Sequence, residues 1–128
     1  MNYYLSRVIP QSFEEAMDTV ADALKKEGFG ILSDVDMQKS ISSKLGKEFR
    51  KYRILGVCDA KLAYDVLNIE DKAGIFMPCT IIVQEREGGK TEVTAIDPLD
   101  MMRAIGNPKL EQFAADAASR LSRVMWAL

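Results

Sequence analysis

The stretch IFMPCTIIVQEREGGKTEVTAI, residues 75–96, decides the fold. Two runs rich in branched residues, Ile75 to Glu85 and Lys90 to Ile96, flank Glu87-Gly88-Gly89 and read as the strands of an antiparallel hairpin. A three-residue loop sets Val83 opposite Val93 and Ile81 opposite Ala95, with Gln84 opposite Glu92 on the other face. A two-residue Gly-Gly turn would oppose Glu85 and Glu92, two like charges, so the three-residue loop is the reading. Pro78 has no N–H for a ladder and marks an edge, a bulge or a strand start. Cys79 follows it, opposite Asp97 in the same register.

Outward from the hairpin the same grammar repeats. Tyr3 to Ile9, Phe29 to Val35 and Tyr52 to Cys58 read as three more strands, the last apolar on both faces. Ser12 and Glu15 form a capping box ahead of a helix whose apolar positions, Phe13, Ala16, Met17, Val20, Ala23 and Leu24, fall on one stripe before Gly28 stops it. Asp36 caps a short helix ending at Gly46, and Asp59 caps another over Ala60 to Leu67. Asp97-Pro98 opens a helical turn through Met101 and Met102, and Asn107-Pro108 opens a final helix. In that helix Leu110, Phe113, Ala114, Ala117, Leu121, Val124, Met125 and Leu128 recur at three- and four-residue spacing. The expectation is one α+β domain over residues 1–128, a mainly antiparallel five-stranded sheet backed by helices, in the order β-α-β-(α)-β-α-β-β-α with a long C-terminal helix.

Composition narrows the function more than it names one. The 128 residues suit a single core, and 48% hydrophobic with 28% charged residues is globular composition. A net charge of −2 gives no global field to gather nucleic acid or anionic lipid. The chain has no His, the commonest general base and metal ligand. No long apolar run suggests a membrane span or a leader, so the expected compartment is the reducing cytoplasm, with Cys58 and Cys79 as thiols.

Individual motifs are weighed against plain structural roles. Gly28-Phe29-Gly30 follows a helix and lacks the third glycine and following helix of a phosphate loop, so it reads as helix termination. Lys44, Lys47, Arg50, Lys51 and Arg53, with Tyr52 among them, form the one basic cluster; nucleic-acid binding there is a weaker reading than a solvated helix end and loop. Cys58 sits before the Asp59 cap, where amide dipoles lower a thiol's pKa, or where it packs on Ala63 as a staple does. Two thiols without His make half of a zinc site, so neither metal nor cofactor is assigned, and the methionines read as core filling. Tyr64 and Trp126 suit either a pocket or ordinary packing.

Taken in order, Glu27-Gly28-Phe29-Gly30-Ile31-Leu32 with Asp34 to Asp36, Tyr52-Arg53-Ile54-Leu55-Gly56-Val57-Cys58-Asp59 with Leu62-Ala63-Tyr64, Met77-Pro78-Cys79, and Ala95-Ile96-Asp97-Pro98 resemble the bacterial domain-of-unknown-function family 302. The resemblance spans nearly the whole chain. It implies an architecture similar to that of TATA-box-binding protein and a tendency to form a homodimer, and it implies no established activity. Asp59-Ala60 stands where the family has Asn-Pro after its first cysteine.

Without an acid, base and nucleophile set, the leading expectation is a non-catalytic module that binds a small ligand or a partner. The candidate pocket or thiol site comprises Cys58, Asp59, Tyr64, Pro78, Cys79 and Asp97. The rival is a thiol redox enzyme or sensor built on Cys58 and Cys79.

Overall fold

Five strands pair in the order β1-β5-β4-β3-β2, every neighbour antiparallel, in a computed structural model that describes residues 3–128. They are β1 (Tyr4–Ile9), β2 (Gly30–Asp36), β3 (Tyr52–Cys58), β4 (Cys79–Arg86) and β5 (Lys90–Ile96). The helices are α1 (Phe13–Lys26), α2 (Met37–Leu45), α3 (Ala60–Ile69), α4 (Pro98–Ile105) and α5 (Glu111–Trp126), with 3₁₀ turns at Asp71–Phe76 and Pro108–Leu110. The expected α+β class is the observed one.

The hairpin register is as read from the sequence: Val83 faces Val93, Ile81 faces Ala95 and Gln84 faces Glu92, across a loop of Glu87 to Gly89. Its first strand is shorter than expected. Ile75 and Phe76 belong to the 3₁₀ turn and Pro78 lies just outside the ladder, because β4 starts where proline's missing donor no longer matters. The turn after Asp97-Pro98 is a full helix, α4, ended by Gly106. The last helix opens with a 3₁₀ turn over Pro108–Leu110 before α5 begins.

Helix α1 follows from its capping box, in which the Ser12 hydroxyl accepts from the Glu15 amide at 3.2 Å and donates to the Glu15 carboxylate at 3.0 Å. Its stripe of Phe13, Ala16, Val20, Ala23 and Leu24 meets Leu121, Val124 and Met125 of α5 over Leu55, Val57, Ile81, Val83, Val93 and Ala95 of the sheet. This single cluster is the core. The opposite sheet face stays outside it: Tyr4 and Val8 are exposed, and Ile54, Ile82 and Ile96 are half-buried. Polar side chains there pair within the chain, Ser6 with Glu92 and Thr94, Arg86 with Glu92, and Arg50 with Gln84. Among the described residues, no helix is long and apolar enough to cross a membrane.

Candidate functional site

The two thirds of α5 nearest its C-terminus cover the sheet, and its first turns do something else. Leu110, Phe113, Ala114 and Ala117 turn towards α3, α4 and the Asp71–Phe76 turn, and together these elements enclose an apolar cavity of about 80 Å³ at the end of β3 and β4. Leu62, Ala63 and Val66 of α3 form one wall, and Pro98, Met101, Met102 and Ile105 of α4 form another. Phe29, Val57, Cys58 and Cys79 close the side towards the sheet, with Ala73, Phe76 and Met77 below. Asp59 is the one charged residue in the lining.

Strand pairing brings the thiols to this cavity. Val57 lies opposite Cys79, so Cys58 and Cys79 occupy neighbouring rungs of adjacent strands. Both are free thiols. Burial pushes Cys79 up to about 11, with the nearby Cys58 adding to the shift. Cys58 is also raised, by burial first and then by the Asp59 carboxylate. Of the two readings of Cys58, the lowering by the α3 amides does not occur, because Asp59 occupies those amides itself: its carboxylate accepts from Lys61 N at 2.9 Å and Leu62 N at 3.4 Å. The Cys58 thiol donates instead to the Asp59 carbonyl at 3.4 Å, and Cys58 and Ala63 line the same cavity.

Asp59 has a second task. Its other oxygen accepts from Arg120 Nη2 at 2.8 Å, a charge-assisted bond that holds the Asp59 carboxyl below the usual carboxylate range. Arg120 Nε also donates to the Glu27 carbonyl at 3.0 Å, and the guanidinium stacks 4.6 Å from the Phe29 ring. One side chain of α5 thus fastens the end of α1 to the start of α3. Gly28 makes room for it: φ there is +83°, and a Cβ would lie 2.7 Å from Arg120 Nη2. Outside the cavity, Lys61, Asp65, Gln112, Asp116 and Arg120 line a polar hollow that shares Asp59, Leu62 and Phe113 with it.

The remaining candidates lie elsewhere. Tyr64 points to solvent at 70% exposure and Trp126 at 76%, so neither lines the cavity. Pro78, preceded by a cis peptide bond, packs across β3, where a Cβ on Gly56 would lie 2.5 Å from its Cγ and 2.3 Å from Ser33 Oγ. Asp97 caps α4 by accepting from Leu99 N at 3.0 Å, and its own amide donates to the Tyr3 carbonyl at 2.8 Å. It positions the cavity wall without lining it. Three of the five residues of the basic cluster are engaged within the chain: Lys51 pairs with Glu14, Arg53 with Asp34 and Asp36, and Arg50 lies over the Phe49 and Tyr52 rings, while Lys44 and Lys47 are exposed.

Strand β3 with its capped helix and the Met-Pro-Cys entry to β4 converge at this cavity. The profile described as "Domain of unknown function DUF302" matches residues 5–128. The chain belongs to the DUF302 family. The crystal structure of an uncharacterized conserved DUF302 protein from Bacillus stearothermophilus is similar over 99% of this chain and 98% of that one, with a TM-score of 0.90 and 27% sequence identity. No functionally curated protein matches the chain. The DUF302 description and this neighbour carry a fold and no specific function.

Proposed function

We propose that this protein is a non-catalytic binding module that takes a small apolar group in the cavity between α3, α4 and the first turns of α5. The cavity itself carries the reading: its lining is apolar but for Asp59, and it opens beside a polar hollow. About 80 Å³ holds a group of few heavy atoms. The fitting ligand has a short apolar end inside and a polar end in the hollow beside Gln112, where Lys61 is paired with Asp65, and Arg120 with Asp59 and Asp116. Raised thiol pKa values argue against the redox alternative, since the thiolate is the reactive form. In the cytoplasm, the compartment this reading favours, both thiols stay reduced.

The test is thermal stabilisation of the purified protein by a homologous series of short n-alkanols and n-alkanoates. Saturable stabilisation that peaks at one chain length and disappears in Ala63→Leu, which fills the cavity, is expected. No stabilisation by any member, or an undiminished effect in Ala63→Leu, rejects the proposal.

A further inference from the structure

Five of the residues that line the cavity carry sulfur: Cys58, Met77, Cys79, Met101 and Met102. They come from three separate parts of the chain, the end of β3, the entry to β4 and helix α4. Other methionines have ordinary roles, such as Met125 in the core at 2% exposure. The cavity methionines are half-buried instead. Met101 and Met102 are consecutive in α4, about 100° apart around the helix axis. Both nevertheless reach the same cavity.

We propose that this cavity is a binding site for the soft monovalent ion Cu(I), held by thiolate and thioether sulfur. Soft sulfur donors select Cu(I) over the hard divalent ions, which need oxygen ligands. The one carboxylate in the lining is engaged by Arg120 and the α3 amides. Among the described residues, no group of three His, Cys, Asp or Glu side chains is placed to hold a metal. Charge favours the same ion. An apolar cavity penalises a net charge, and Cu(I) reaches neutrality with one thiolate and neutral thioethers, whereas a divalent ion needs both cysteines as thiolates. Binding follows Cu⁺ + RSH → Cu–SR + H⁺: the thiol S–H bond breaks, a Cu–S bond forms, the proton leaves to solvent, and the metal keeps its oxidation state, so no redox partner is needed. The inference goes beyond the apolar-ligand reading and shares with it only the accessibility of the cavity.

The experiment is an anaerobic titration of the reduced full-length protein with Cu(I) against the coloured chelator bicinchoninate. X-ray absorption of the loaded protein reads the ligand atoms. The wild type is expected to withdraw one equivalent into a sulfur-only shell. The Met77→Leu/Met101→Leu/Met102→Leu variant keeps the apolar volume and removes the thioethers. It is expected to bind at least about tenfold more weakly, and Cys58→Ser/Cys79→Ser not to compete at all. Should the triple variant unfold, Met101→Leu and Met102→Leu singly carry the same comparison. A wild type that leaves the chelator loaded overturns the proposal, as do oxygen or nitrogen ligands, or methionine variants that bind as tightly as the wild type. The alkanol series separates the two readings: stabilisation by alkanols without Cu(I) uptake sinks this one alone, and Cu(I) uptake without alkanol stabilisation sinks the other.

Discussion

Cys79 should make the fold alkali-sensitive by an amount the structure sets. Its thiol is raised to about 11 by burial, whereas an unfolded cysteine titrates near about 8.5. The folded state therefore holds the proton more tightly than the unfolded one. The resulting stabilisation is fully present below the unfolded value and is lost as pH rises through the folded one. A shift from about 8.5 to about 11 corresponds to about 3 kcal/mol in all, of which about 2 kcal/mol is lost by about pH 10. Urea unfolding of the wild type and Cys79→Ala across the alkaline range measures it. Contributions common to both proteins cancel in the difference. The wild type's advantage should shrink by about 2 kcal/mol between about pH 8 and about pH 10. Alkylation with iodoacetamide gives a second reading, since at about pH 8 the Cys79 thiolate fraction is about two hundredfold below that of a free thiol. Parallel stability curves, or alkylation of Cys79 with a midpoint near the free value, would refute the burial argument.

Leu121, 1% exposed between α1 and the sheet, should cost about 2 to 5 kcal/mol when cut to Ala, measured by chemical denaturation; a change of a few tenths would mean the core is misassigned. Arg120→Met should cost about 2 to 4 kcal/mol by the same assay, because it takes the partner from Asp59 Oδ2 and from the Glu27 carbonyl together. The variant should also lose part of the wild type's acid sensitivity. A carboxyl held low in the folded state adds stability above its unfolded value and forfeits it as pH falls, and that contribution needs Arg120. Sedimentation equilibrium should find a homodimer, with the sheet face opposite the core, carrying Tyr4, Val8, Ile54, Ile82 and Ile96, as the contact; a clean 14.3 kDa species at tens of micromolar removes it.

Local chemistry made most of the fold legible. Ser12, Asp36, Asp59 and Asp97 announce their helices because a capping side chain bonds an amide two or three residues away, and the hairpin register follows from pairing like faces and avoiding opposed carboxylates. The boundary of β4 was less readable, since Ile75 and Phe76 look like strand residues and only Pro78 hints that the ladder begins later. Cys58, Asp59 and Cys79 could be singled out from sequence, and the structure brings all three to one cavity. Arg120 could not. Its partners lie 61 and 93 residues away, and no periodicity marks an arginine on a helix's polar side as a fastener. Met101 and Met102 were visible as a pair after Asp97-Pro98, but that they line one cavity with Met77 depends on how α4 packs.

The division of α5 between two apolar clusters has a kinetic consequence. Its later turns are locked into the sheet core, whereas α3 has no buried residue and α4 only Pro98. Helices anchored so lightly open in sub-global fluctuations while β3, β4 and β5 stay paired, so amide hydrogen exchange should show two tiers of protection. The slow tier belongs to the sheet and α1, the fast tier to the two helices that wall the cavity. On the binding reading, exchange of a ligand should follow this breathing, and Arg120→Met, which removes the bond to Asp59, should speed both.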